Sequence, residues 1–593
     1  MPLEQYNRRL AHWREVHARA EARYRQLGNL RLLAVLAAVA IAALSFGAGL
    51  ISPWWLLAPL AIFIAFAVVH DRVDEARATG ARGVAYYERA IARLGNDWIG
   101  RGNQGERFRD PKHVYADDLD LFGRGSLFEL LSTARTQAGE AALAKWLLAP
   151  GERAEILARQ QAVAELCPRV DLREELALVG EDIRAAADAK SLATWGEQPP
   201  LPFIRGARIV APALALAVLI TLALWFAQVS SLAPLFAVLL VEVVFFYTIR
   251  DSVLRVMASI STPARELRLL SLLIEKLERQ SFHSPRLIEL QRAFETQGRG
   301  APKQIRKLKR LIEQLDAARY HQLFRPLVAP LLWIPQYAMA IEAWRCAVGS
   351  RIGHWIAAIG EFEALLSLAG FAFDRPNAIF PELIETGPLI DAAQINHPLI
   401  APGVSVGNDV SIGNEVRLLI VSGSNMSGKS TFLRAIGLNV VLAWAGAPVT
   451  CATFRVSPLA IGASMRANDS LADNRSRFYA EIERLRDVVE LARSGRPALF
   501  LLDELLSGTN SHDRRIGAGA LVRGLVERGA IGLVTTHDLA LAQIAESMDG
   551  RAVNVHFEDQ LENGEIHFDY RLRPGVVTRS NALELMRAVG LEV

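Results

Sequence analysis

The stretch from Leu418 to Phe432, LLIVSGSNMSGKSTF, restricts what this chain can fold into more than any other. Leu418 to Val421 reads as a buried strand, a glycine-bearing turn follows, and Phe432, Leu433 and Ile436 start a helix. Gly423, Gly428, Lys429 and Ser430 fit the phosphate-binding pattern G-x-x-x-x-G-K-[ST]. Glycines let successive backbone N–H groups turn inward around phosphate oxygens, and the helix N-terminus adds a favourable dipole. In that geometry Lys429 reaches the β- and γ-phosphates of ATP, and the Ser430 hydroxyl completes the shell of a Mg²⁺ ion. Ser424, Asn425, Met426, Ser427 and Thr431 complete the ATP-binding set. The other reading of the pattern, a glycine-rich turn without a ligand, is weakened by the strand before it and the helix after it.

Two further apolar strands end in chemistry-bearing residues. Pro497 to Leu502 runs into Asp503-Glu504, and Ile531 to Val534 runs into Thr535-Thr536-His537-Asp538. Asp503 is placed to hold the metal through water, and Glu504 to orient or deprotonate the attacking water. His537 is placed to sense the γ-phosphate. An acidic pair after a strand also occurs as a helix cap or an exposed turn. The phosphate-binding pattern in the same domain argues for the catalytic set Lys429, Glu504 and His537. Alternating strands and helices over the last third predict an α/β P-loop domain at 381–593.

At 593 residues the chain needs several domains, and its 51% hydrophobic content is high for a water-soluble protein. Four uncharged or nearly uncharged apolar runs account for much of it. Two of them, 32–51 and 54–69, form a first hairpin over 31–70, and 209–227 and 232–247 form a second over 207–250. The links within the hairpins lack Lys and Arg, whereas Arg31, Arg72, Arg205, Arg208 and Arg250 flank them. By the positive-inside rule both hairpins cross a membrane and return to the cytoplasm, which places a multi-pass protein in the inner (cytoplasmic) membrane. A signal peptide fits poorly after a polar, arginine-rich lead (1–30), itself of helical periodicity. Buried soluble helical hairpins are the other alternative. Glu242 stands inside the fourth run, either as a functional acid or as a protonated or paired acid used in packing.

The intervening segments, 71–206 and 251–380, carry apolar residues at helical spacing, as in Ser126 to Leu166, Pro263 to Glu278 and Ile305 to Leu323. Arg299, Lys303, Arg306, Lys307, Lys309 and Arg310 make the densest basic run. It reads either as a DNA-backbone grip or as a solvated helix face balanced by Glu313 and Asp316. A net charge of +3 excludes a global basic field. Cys167, Cys346 and Cys451 lack metal-ligand spacing and predict no structural metal.

These motifs resemble the MutS family of ABC-type ATPases. GSNMSGKST at 423–431 is similar to the family's GPNMGGKST, with Ser424 in place of proline and Ser427 in place of a glycine. LFLLDELLSGTN at 499–510 resembles LLLDELGRGT, and TTHD at 535–538 resembles ATHY. RSRFYAEI at 475–482 resembles RSTFMVEM, with Arg477 where threonine is usual. His397-Pro398, Asn408-Asp409 and the ending RPGVVTRSNALELMRAVGL also match. The resemblance is close over 390–593 and looser over 120–375, where 126–166 resembles the core domain and Ile359 to Phe373 a lever helix. It implies a homodimer in which Ser476 approaches the γ-phosphate bound by the other subunit. Asp469 would link nucleotide to levers, and His537 would act as a switch. The family's N-terminal mismatch-reading domain has no counterpart here, where residues 1–125 hold an apolar hairpin and a helical link.

Two readings follow. One is a membrane-anchored MutS-like ATPase whose ATP-driven dimer closure moves levers and engages DNA in a mismatch-repair-like role. The other keeps the ATPase and directs its levers at the bilayer or a membrane partner without DNA. A transport ABC protein fits less well, because Leu506-Ser507-Gly508 follows the Asp503 strand where a transporter signature should precede it.

Overall fold

A computed structural model describes residues 1–179, 189–296, 299–320, 328–424, 426–465, 477–506, 509–537, 539–562 and 565–577. They divide into two compact units. One comprises Met1–Thr133, Leu143–Leu178 and Leu365–Val593, the other Ala134–Ala142 and Val179–Ala364.

The first unit is built on a six-stranded sheet. Its strand order is Glu565–Pro574, Ala552–Glu562, Leu418–Ser422, Ile531–Thr536, Ala498–Leu502 and Ala460–Ser464. The last five are mutually parallel, and Glu565–Pro574 pairs antiparallel at one edge. The three central strands are buried at every position, as a parallel sheet covered on both faces requires. The middle strand passes so close to its neighbour that a Cβ on Gly532 would lie 2.3 Å from the Phe500 carbonyl oxygen. The helix Lys429–Ala445, almost entirely apolar after its first turn, is buried on all sides. A second, four-stranded sheet orders Glu382–Leu383, Thr453–Val456, Leu389–Ile395 and Asn408–Gly413.

Helices fill much of the rest, as the apolar spacing predicts, with one departure. Within the helical reading of 71–206, residues 95–126 are irregular apart from the turn Glu106–Phe108. Glycines and acids crowd this stretch (Gly95, Gly100, Gly102, Gly105, Asp117, Asp118, Asp120), and such residues favour turns over helix interiors. The stretch is nevertheless fixed in place. Asp118 is buried, accepts the Met465 amide at 2.8 Å and pairs with Arg484 at 3.1 Å.

The N-terminal helix Pro2–Ala42 and the helix Leu57–Leu94 run antiparallel, each unbroken through the junction between its polar and apolar halves. The polar halves form a packed stalk. Trp13 lies where a Cβ on Gly83 would be, Tyr24 stacks near His70, and Arg77 covers Tyr24. At its base Tyr6 donates to Asp374 Oδ1 at 2.7 Å, Arg93 donates to Asp374 Oδ2 at 2.9 Å, and Arg9 pairs with Glu174. The apolar halves leave Leu32, Leu33, Leu36 and Ile64 exposed, as are Trp54 and Trp55 in the turn Pro53–Leu56 before the second helix.

The second unit is helical among its described residues, apart from a two-residue strand pair at Glu295–Thr296 and Arg299–Gly300. It contains Ala207–Phe226 and Ala233–Ser259, whose apolar runs are again largely uncovered. Twenty helical residues span about 30 Å, the thickness of a bilayer's hydrocarbon core. A similarly apolar stretch, Trp333–Asp374, has its most apolar 18-residue window 83% buried inside the protein. Hydropathy alone does not separate the two situations, whereas packing does.

Replacing Asp374 by Ala leaves the Arg93 guanidinium and the Tyr6 hydroxyl without their acceptor. It is expected to lower the unfolding free energy by about 3 kcal/mol, read as a lower thermal midpoint of the purified protein.

Candidate functional site

Because the central strands are parallel, their C-terminal ends emerge on one edge of the sheet. Ser422 pairs with Thr536, and Val534 pairs with Leu502, so the loops after all three strands meet there. The loop after Ser422 turns through Gly428 at a φ of 102°, a conformation that strains any residue with a Cβ, and Tyr570 packs beside it. Lys429 is buried at the start of the helix. Its Nζ donates to the carbonyls of Gly423 at 2.8 Å and Ser424 at 2.7 Å. The Oγ atoms of Ser424 and Ser427 are buried in the same loop without a protein partner. Asn425 lies outside the described residues.

Asp503 and Glu504 are held from the adjacent strand. The Thr535 hydroxyl donates to Asp503 Oδ1 and accepts the Glu504 amide at 2.9 Å, while the Asp503 amide donates to the Ser464 carbonyl. Glu504 itself has a φ of 48°, left-handed for a non-glycine residue. Its Oε1 lies 4.0 Å from His537 Nδ1. Three of the predicted groups, the phosphate loop, the acidic pair and His537, are thus brought together. Ser476 and Asp469 lie outside the described residues, and so does Asp538. The motif that contains Ser476 continues into the helix Arg477–Arg493, where buried Glu481 accepts the Leu506 amide at 2.5 Å. That bond ties the helix to the loop after the acidic pair.

A cavity of about 520 Å³ opens at this edge. Gly428, Lys429, Ser430, Thr431 and Glu504 line it together with His397, Val404, Asn408, Phe557 and Tyr570. Phe557 and Tyr570 were not among the residues singled out from the sequence. They come from the edge hairpin, whose two alternating runs flank Asn563-Gly564, a hairpin pair that could have revealed it. Asn408 secures that hairpin, donating to the Tyr570 carbonyl at 2.9 Å and accepting the Leu572 amide at 2.7 Å. His397 is buried, and its Nδ1 accepts the Leu399 amide at 3.2 Å. Burial first, then the charges of Arg434 and Arg375, push its pKa down to about 4, so the ring is neutral.

The basic run occupies the second unit. Lys303, Arg306, Lys307, Lys309 and Arg310 are exposed on the helix Ala301–Tyr320, with Ile305 and Leu308 buried behind them. Arg306 faces Glu275 at 3.6 Å and Lys309 faces Glu313 at 3.5 Å, so part of the positive charge is balanced locally. Arg299 lies on the short strand before the helix.

Comparison with known proteins agrees with the geometry. Residues 114–492 match MutS domain III and residues 419–592 match MutS domain V. The chain belongs to the MutS family. MutS domain V is that family's ATPase domain, and in this MutS protein its match takes in the three strand ends and the Gly428–Thr431, Glu504, Phe557 and Tyr570 part of the cavity wall, while His397, Val404 and Asn408 precede it. An endonuclease MutS2 of Thermomicrobium roseum is 32% identical over 256 residues, covering 40% of this chain and 31% of that protein. A DNA mismatch repair protein MSH3 of Phaeosphaeria nodorum is 31% identical over 240 residues, covering 39% and 21% respectively. The matched part is thus a third or less of the length of these relatives.

The neutral His397 carries a pH signature. The unfolded chain takes up a proton near pH 6.5 that the fold refuses until about pH 4, so this contribution to stability is present above pH 6.5 and lost as pH falls towards 4. Denaturant unfolding at pH 7 and pH 4 should show a loss larger in the parent than in His397→Gln by on the order of 3 kcal/mol.

Proposed function

We propose that this MutS protein is a Mg²⁺-dependent ATP hydrolase anchored in the cytoplasmic membrane, which works as a dimer and engages DNA. The observation that carries the ATPase reading is the convergence of the Gly423–Thr431 loop, Glu504 and His537 at one sheet edge beside a cavity. ATP is the substrate class that fits. The loop offers N–H groups and the orphaned Ser424 and Ser427 hydroxyls to phosphate oxygens, and Lys429 stands at the head of the helix. Phe557 and Tyr570 supply ring surface in the cavity wall. Ser430 and Asp503 are the residues to hold Mg²⁺, which would neutralise charge developing on the phosphates. With Oδ1 of Asp503 occupied by Thr535, Oδ2 is the oxygen available for that task. Glu504 then orients or deprotonates the attacking water, and His537 responds to the γ-phosphate.

Dimer closure places Ser476 of one protomer at the other's nucleotide. Four largely uncovered apolar helices support the membrane reading, with the stalk and the nucleotide domain on the cytoplasmic side. The exposed face from Lys303 to Arg310 is the candidate DNA-backbone contact. A second reading, in which the ATPase acts on the bilayer or a membrane partner, draws on the stalk. Tyr6 and Arg93 at its base bond Asp374, the last residue of the helix leading into the ATPase domain.

Lys429→Ala is expected to abolish binding of a fluorescent ATP analogue. Glu504→Gln should bind ATP, hydrolyse it at least about 100-fold more slowly and accumulate the closed dimer in size-exclusion chromatography. Turnover at the parental rate would remove Glu504 from the mechanism.

DNA affinity of the protein in nanodiscs, measured against salt, separates the two readings. A backbone grip gives a steep negative slope that flattens by roughly 2 to 3 when Lys307, Lys309 and Arg310 become Ala. No binding at low salt selects the second reading.

A further inference from the structure

The carboxyl group of Glu242 has no partner where the fold places it. On the helix Ala233–Ser259 its neighbours Leu240, Val241, Val243 and Val244 are more than half exposed, yet Glu242 is 4% exposed and turned into the protein. Its Oε1 is buried without a hydrogen-bond partner. It lines a cavity of about 570 Å³ whose other described lining residues are apolar, Leu239, Phe246, Val253, Met257 and Pro335 among them. Among the described lining residues there is no Lys, Arg or His. The size and the make-up, carbon walls with one polar group, are those of a small-molecule site, which typically measures roughly 300–1,000 Å³.

The chemistry of the wall narrows the occupant. A buried water needs two to four polar partners, and a single carboxyl cannot hold one. A buried carboxylate is stabilised by a cation that also donates hydrogen bonds. Apolar walls favour an alkyl or ring body behind that cation. We propose that this cavity binds an apolar amine, with the ammonium group donating to Glu242 and the hydrocarbon body filling the space between Leu239, Met257 and Pro335. The position of Glu242 within an apolar run suits a ligand that arrives from the lipid phase. The cavity and its carboxyl do not depend on the nucleotide site.

The test uses dicyclohexylcarbodiimide, an apolar reagent that adds to carboxyl groups in water-poor sites, on the full chain in nanodiscs and in detergent micelles. Peptide mass spectrometry is expected to find the adduct on Glu242 and to lose it in Glu242→Gln. Dodecylamine should slow the labelling at least about tenfold, the factor expected of one charge-assisted hydrogen bond, whereas dodecanol at the same mole fraction should leave it nearly unchanged. Val253→Phe narrows the cavity while keeping the carboxyl, and in it the protection by dodecylamine should disappear. Equal protection by dodecanol, protection that persists in Val253→Phe, or failure of Glu242 to label in either medium would each overturn the proposal. Because the micelle arm contains no bilayer, a failure of the membrane reading does not alter these outcomes.

Discussion

The chemistry of this protein depends on parallel hydrogen bonding between three strands, with Ile531–Thr536 in the middle. Parallel pairing is what delivers a glycine loop, an acidic pair and a histidine, spread over more than a hundred residues, to one edge. The middle strand does more than align its neighbours. Its Thr535 hydroxyl touches both acids' positions at once, accepting from the Glu504 backbone and donating to the Asp503 carboxylate. A left-handed backbone at Glu504 is costly, and such a conformation persists only where surrounding bonds over-determine it. Here the bond from its own amide supplies part of that constraint.

Around this edge the fold adds walls that belong to distant parts of the chain. Asn408 holds the edge hairpin against the smaller sheet's strand, and with it Phe557 and Tyr570. The irregular stretch before Ser126 anchors through Asp118 to the strand and helix that flank the 466–476 segment. Arg375 donates to the Pro398 carbonyl at 2.7 Å, next to neutral His397 in the cavity wall. Asp374, one residue earlier, receives the stalk. The stalk-base contacts at Asp374 and the Arg375–Pro398 bond, joined through adjacent backbone residues, thus link the stalk base to the cavity wall within one compact unit.

The apolar helices show one composition in two packing situations. The stretch Trp333–Asp374 and the four uncovered helices all have the length and apolar content to cross a bilayer, but the first is wrapped by its own protein. Glu242 lies at the boundary of these cases, on an uncovered helix yet turned inward towards an apolar cavity.

Local chemistry was readable directly from the chain. Strand, glycine turn and helix at 418–436, the acids after Leu502 and the histidine after Thr536 are each encoded within a dozen residues, because strand burial and phosphate-loop geometry are short-range demands. The helical spacing of 126–166, 263–278 and the described part of 305–323 was legible for the same reason, and so were the lengths of the apolar runs. What only the tertiary structure decided involves partners far apart in sequence. Phe557 and Tyr570 join the cavity through sheet pairing, Asp374 meets Tyr6 across 368 positions, and Thr535 bridges two acids that follow another strand. The inward turn of Glu242 belongs to this group too. Periodicity records that a residue must be buried, but not against what, since any apolar neighbour satisfies the same free energy of transfer.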